Sequence, residues 1–158
     1  FMLSSRTVSS SIELSNATLQ STLAQNGSLL FTNQHTDMTL SSSQIKFCNS
    51  SSGGLLAVSN FLNLCVSNTT ITDIVAARGG FLYAAPNSVS HIELVNESRL
   101  SVSMAQKGGA FYVEGVVTVK ASGDVAFESK ADDGGIAYIG NGTQYSPLIY
   151  LREQSNFS

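Results

Sequence analysis

The side chains that could do chemistry in this chain are few and scattered. Asp132-Asp133 is an adjacent acidic pair, with Asp124 and Glu128 just upstream, and His35, His91, Cys48 and Cys65 stand apart from one another. An inverting glycosidase needs two carboxyl groups about 6.5 to 9.5 Å apart, and a calcium-dependent lyase needs an acidic cluster with a basic residue. Asp132-Asp133 precedes Gly134 where other copies of the repeat described below carry Ala77-Arg78 and Gln106-Lys107, and so reads as a solvated turn. His35 and His91 fall at non-equivalent positions that also read as turns, and are expected to be surface residues rather than bases or ligands. No Cys/His spacing has the form of a metal site. The sequence therefore assigns no catalytic residue, no metal and no cofactor. The strand register sets Cys48 and Cys65 on different faces, whereas a disulfide needs Cα atoms within about 7 Å; a mutual bridge, free thiols and a bridge to another chain stay open.

The asparagines carry a clearer signal. Eleven asparagines among 158 residues, of which 37 are Ser or Thr, would by chance produce roughly 2.6 Asn-x-Ser/Thr acceptors. Seven occur, at Asn16, Asn26, Asn49, Asn68, Asn96, Asn141 and Asn156, none with proline in the middle. That excess points to secretion through a glycosylating pathway, with N-linked glycans as the covalent modification. The expected location is extracellular, at the cell surface.

Charged residues make up 12% of the chain and the net charge is -3, so no basic surface exists to hold a nucleic-acid backbone. No apolar run approaches the roughly 18 residues of a membrane helix, and membrane insertion of this segment is not expected. At 42% hydrophobic over 158 residues, the chain can bury one core, read here as a single domain spanning 1–158.

What organises that core is a repeat. Gly27-Ser28, Gly53-Gly54, Gly79-Gly80, Gly108-Gly109 and Gly134-Gly135 each precede an apolar run, and their first glycines step by 26, 26, 29 and 26 residues. Such a period marks a solenoid whose units bury their apolar faces by stacking. Each period holds three short strands. The first alternates, as in Ile12-Glu13-Leu14, Met38-Thr39-Leu40, Leu64-Cys65-Val66, Ile92-Glu93-Leu94, Val117-Thr118-Val119 and Ile149-Tyr150-Leu151. The second is represented by Ile45-Lys46-Phe47, Leu100-Ser101-Val102 and Val125-Ala126-Phe127, and the third follows the glycines. Runs of three to five residues with period two, bounded by Ser, Asn, Asp and Gly, are strands rather than helices. Three parallel strands per turn describe an all-β, single-stranded parallel β-helix of about five coils of 26–29 residues. All seven acceptors then fall in turns: Asn16, Asn68 and Asn96 after strand one, Asn26 and Asn49 before the glycines, Asn141 in the third turn and Asn156 opening a sixth coil. The glycine pairs allow positive φ and a sharp bend, and Ser28 in the first copy makes the first glycine of each pair the stricter requirement.

Third-strand columns read Leu29, Leu55, Phe81, Ala110, Ile136; then Leu30, Leu56, Leu82, Phe111, Ala137; then Phe31, Ala57, Tyr83, Tyr112, Tyr138. Neighbouring columns point to opposite sides of a strand wall, so an apolar ladder should face outward. Phe31, Phe81, Tyr83, Tyr112 and Tyr138 are its expected interface residues. Its occupants would be another copy of the chain, another part of the same protein, or a stacked carbohydrate.

Gly108-Gly109-Ala110-Phe111-Tyr112, with Ser155-Asn156-Phe157-Ser158 as the run-up to another unit, resembles the polymorphic outer-membrane protein repeat with its Gly-Gly-Ala-Ile and Phe-x-x-Asn motifs. The resemblance implies a right-handed β-helix, the middle column inward and the aromatic column outward, and a cell-surface adhesive or structural role. Phe1 begins close to a coil and Ser158 stops inside one, so a fragment of a longer solenoid is expected, with end-to-end stacking into a filament as the alternative. Two competing functional classes are a carbohydrate-active enzyme of the pectate lyase or polygalacturonase kind and a bacterial autotransporter passenger adhesin.

Overall fold

The computed structural model describes residues 9–140 and the short strands at 2–3 and 155–157, with side chains described within 9–140 apart from those of Ser103 and Phe127. Among the described residues there is no helix. The strands are, in chain order, β1 (Met2–Leu3), β2 (Ser10–Ser15), β3 (Thr18–Asn26), β4 (Leu30–Thr32), β5 (His35–Ser41), β6 (Gln44–Ser52), β7 (Leu56–Val58), β8 (Phe61–Ser67) and β9 (Thr70–Arg78). They continue with β10 (Leu82–Ala84), β11 (Val89–Val95), β12 (Ser98–Lys107), β13 (Phe111–Val113), β14 (Val116–Ser122), β15 (Val125–Asp133), β16 (Ala137–Ile139) and β17 (Ser155–Phe157). Every third strand joins the same sheet. Sheet A runs β1-β4-β7-β10-β13-β16, sheet B runs β14-β11-β8-β5-β2, and sheet C runs β17-β15-β12-β9-β6-β3, with all pairings parallel. The chain is a parallel β-helix of about five coils.

Alternation in sheet B follows the sequence pattern. Met38, Leu40, Leu64, Val66, Ile92, Leu94, Val117 and Val119 are buried, while Ile12 and Leu14 in the first described coil are partly so. Ile149-Tyr150-Leu151 and Asn141 lie outside the described residues. The 29-residue step places its three extra residues at corners: two in the wider link Ala85–Ser88 and one where Asn96 and Glu97 both take positive φ.

Three corners close each coil. Between sheets B and C stands a column of left-handed residues, Asn16, Ser42, Asn68, Asn96 and Gly123, with φ of 51, 48, 47, 44 and 80°. Asparagine tolerates this conformation better than most residues, so three acceptor asparagines also have a conformational reason to be there. Hydroxyls next to them finish the corner: Thr69 donates to the Ser67 carbonyl at 2.8 Å and Ser98 to Val95 at 2.7 Å. Between sheets C and A, the first glycine of every pair has φ between 50 and 75°. A Cβ on Gly79 would sit 2.0 Å from the Leu82 carbonyl oxygen. The second glycines Gly54, Gly80 and Gly109 lack positive φ but are closed by the neighbouring coil; a Cβ on Gly80 would meet Val102 Cγ1 at 2.2 Å. Ser28 is accommodated by donating its hydroxyl to the Gly54 carbonyl of the coil above. No described atom lies within 4 Å of where a Cβ on Gly135 would stand.

Sheet C departs from the expected register. Its strands are mostly nine residues long rather than three, and Ser21, Phe47 and Asp73 form a second left-handed column within them, with φ of 56, 56 and 58°. A left-handed residue inside a strand bends it and resets the in/out parity, and here the bend recurs in register from coil to coil. Phe47 is therefore exposed, and Cys48 turns inward at 1% exposure. The lengthened strands also take up positions read as turns. Asn26 ends β3, Asn49 lies within β6, Asn156 lies in β17, and Asp132 and Asp133 end β15; His35 opens β5 and His91 lies within β11. These residues are therefore strand residues and not turn residues as expected from the sequence, and the five acceptors from Asn16 to Asn96 are nonetheless exposed.

Candidate functional site: the tyrosine ladder

Column geometry in sheet A differs from simple alternation. Leu29, Leu55, Phe81 and Ala110 precede the three-residue strands and turn inward at the corner, so they share the core with Leu30, Leu56, Leu82 and Phe111. Phe81 is fully buried, edge-on to Phe111 at 5.8 Å and 85°. It is a core residue, and its assignment to the interface is corrected.

The third column does face out. β10, β13 and β16 pair with Tyr83, Tyr112 and Tyr138 in register. The rings stack at 5.6 Å and 27°, then at 5.1 Å and 15°. Parallel in-register strands about 4.8 Å apart impose that spacing on any column of identical side chains. Ala57 and Phe31 continue the column below, Ala57 buried and Phe31 half-buried.

Three charged residues that the sequence reading did not single out hold the ladder. Glu114, just past β13, accepts from the Tyr83 hydroxyl at 2.8 Å through Oε2 and from Tyr112 at 3.5 Å through Oε1. Gly140 leaves room for it, since a Cβ there would lie 2.8 Å from Glu114 Cγ. Arg78 at the end of β9 places its guanidinium 5.5 Å from the Tyr112 ring centre, and Lys107 at the end of β12 its Nζ 5.1 Å from that of Tyr138. Both cations occupy the position before the first glycine of a pair, a column in which Asn26, Ser52 and Asp133 are the other members. Reading that column against the tyrosines would have found them.

Burial, then the hydrogen bond and charge of Glu114, push the Tyr83 phenol from 10.0 up to about 12; burial and Glu114 also raise that of Tyr112. The hydroxyls stay protonated at neutral pH and serve as donors, not as bases. A folded-state value above the unfolded one favours the protonated form. Its stabilisation is complete below about pH 10 and is lost as pH rises towards about 12. Tyrosinate absorbance at 295 nm should accordingly include a late titration near pH 12 from Tyr83. Glu114→Gln should shift it to lower pH without reaching the ordinary value, because burial, the largest cause, remains.

The other candidates do not converge on a reaction centre. Asp132, Asp133 and Glu128 are exposed, and among the described residues no three His, Cys, Asp or Glu side chains gather as metal ligands. An open hollow of about 580 Å³ brings Glu97 and Asp124 together with Arg99 beside Asn68 and Thr70. His35 and His91 meet on the outer face of sheet B, where His35 stacks on Phe61 at 4.2 Å and His91 lies edge-on to it at 5.6 Å. His35 Nε2 is 3.7 Å from Asp37. Cys48 and Cys65 are both free; the buried Cys48 Sγ accepts from Thr22 at 3.1 Å, and burial with nearby Glu93 raises the Cys65 thiol.

Fold and site together define a parallel β-helix that presents a pre-stacked aromatic column on one wall. No family model, curated protein or solved structure matches the chain.

Proposed function

We propose that the chain is a secreted, N-glycosylated structural or adhesive surface protein whose sheet A wall is the contact face. The observation that carries this reading is the Tyr83–Tyr112–Tyr138 stack, ordered within a single chain by Glu114, Arg78 and Lys107. Rings already held parallel lose little freedom on binding, and the stack presents a fixed apolar ridge flanked by Glu114, Arg78 and Lys107. Such a wall suits the C–H face of a sugar ring or the same wall of a second copy. The excess of acceptor asparagines, with Asn16, Asn26, Asn49, Asn68 and Asn96 all exposed, supports passage through a secretory route. The resemblance to the polymorphic outer-membrane protein repeat supports a surface role, as a segment of a longer solenoid or as a filament subunit.

The test compares the protein with a Tyr83→Ala/Tyr138→Ala double variant, leaving the buried Tyr112 in place. Retention on a panel of immobilised polysaccharides and sedimentation for self-association are measured together. Two stacked rings at about 0.5–1.5 kcal/mol each correspond to a roughly 5- to 150-fold loss in whichever association the wall supports. Equal behaviour of both proteins in both assays would overturn the assignment of this wall, and cleavage of a polysaccharide would favour the enzyme class instead.

A further inference from the structure

A second apolar surface lies away from the tyrosines, on the outer face of sheet C. Leu23, Phe47, Val75 and Met104 are exposed there at 82, 56, 38 and 58%. The strand register seats Asn49 between Leu23 and Val75, with Met104 beyond Val75. A shallow groove of about 310 Å³ is lined by Leu23, Asn49, Val75 and Met104, with Phe47 outside it two residues before Asn49. Within β6, Cys48 and Ser50 point inward, so Phe47, Asn49 and Ser51 share the outer face. Phe47 reaches it only through its left-handed backbone, a conformation that costs about 1–3 kcal/mol in a non-glycine residue and here leaves an aromatic ring in water. Asn49 differs from Asn16, Asn68 and Asn96 in having no positive φ, so its backbone position gives no reason for asparagine.

We propose that Asn49 carries an N-linked glycan whose innermost sugars occupy this stripe, the C–H face of the first sugar against the Phe47 ring and the next sugars over the neighbouring apolar side chains. The sugar thereby covers the stripe from its centre, as an apolar patch in water requires a cover. The attachment joins Asn49 Nδ2 to C1 of the first sugar while the C1–O bond to a lipid-linked diphosphate donor breaks. Nδ2 gives up one proton, the diphosphate leaves, and no electrons are exchanged.

This rests on the glycosylation reading above, and the experiment separates the two. The chain is produced in a glycosylating eukaryotic cell, and occupancy at each asparagine is measured by glycopeptide mass spectrometry. Binding of a hydrophobic dye is then compared for the intact glycoprotein, the same protein after enzymatic glycan removal, and the Ser51→Ala and Thr18→Ala variants, which delete the acceptors at Asn49 and Asn16. Asn49 should be occupied, and both glycan removal and Ser51→Ala should raise dye binding at least threefold, with Thr18→Ala unchanged. Proton signals of the Asn49 sugar should be shifted upfield by the ring and return on Phe47→Ser. An occupied Asn49 with indifferent dye binding and unshifted sugar signals overturns the proposal. So does an empty Asn49 among occupied sites, which leaves the glycoprotein reading intact. A glycan-independent dimer that masks the groove overturns it in favour of a second copy. No occupied site at all overturns both.

Discussion

Replacing Phe81 with alanine should lower the stability of the folded chain by about 3–5 kcal/mol, a drop of roughly 6–20 °C in the thermal midpoint for a chain of this size. The ring is fully buried, sits edge-on to Phe111, and borders a small void of about 10 Å³ lined also by Val66, Ile71, Leu94 and Leu100. Its neighbour one coil up in the same column is Ala110 and its neighbour one coil down is Leu55. The narrow alanine beside it and the broad Phe111 in the adjoining column form one fitted unit, so truncation enlarges the void without a side chain free to fill it. Because each coil packs on its two neighbours alone, the loss falls at the middle of the stack, where it weakens both halves. Urea unfolding followed by circular dichroism measures the shift. An unchanged midpoint would mean that Phe81 stands on the surface, as simple alternation along the wall had it.

That contrast shows where the sequence was legible and where it was not. Sheet B could be read directly, since its strands are seven residues long in most coils and alternate without interruption: Met38 and Leu40, Ile92 and Leu94 point inward as their spacing requires. The tyrosines could be read too, because identical residues at one period must stack in parallel strands. Phe81 could not, because alternation holds only within a strand. Residues 79–81 belong to the corner, and the corner turns Phe81 towards the core. Alternation from Ile45 would bury Phe47, and it fails for a related reason: a single left-handed residue inverts the parity of everything after it, and phenylalanine gives no hint of positive φ. Glu114, Arg78 and Lys107 come from three separate strand ends, so they meet the rings only once the register between coils is fixed. His35 and His91 likewise meet through Phe61, which stands in a different coil from either. Excess acceptors were visible as a count, but the reason for individual asparagines was not: three of them occupy a left-handed corner that asparagine suits.

The glycine corner is where register and site join, and Gly79→Ala tests that connection. Alanine at φ 57° takes on the left-handed strain, about 1–3 kcal/mol, and its Cβ would also stand 2.0 Å from the Leu82 oxygen and 2.8 Å from the Tyr112 amide nitrogen. Both contacts are backbone, so relief requires the coil itself to move, and the total cost should reach about 3–5 kcal/mol. Gly135→Ala is the control. Its φ of 21° also strains an alanine, but no described atom lies within 4 Å of the added methyl, so the cost there should stay at the strain alone, about 1–3 kcal/mol. Equal losses at the two positions would mean that left-handed strain alone sets the cost and that the close backbone contacts of Gly79 add nothing. A second readout links the corner to the wall. Gly79 donates to the Lys107 carbonyl at 3.0 Å, and its forbidden Cβ space is bounded by the residue that stacks between Tyr83 and Tyr138. Any shift that admits alanine therefore displaces Tyr112 relative to Tyr83 and loosens their shared grip on Glu114. In the folded variant at low denaturant, the Tyr83 titration near pH 12 should move towards the ordinary tyrosine range. If stability falls while that titration stays in place, the corner holds the coils together without setting the geometry of the ladder.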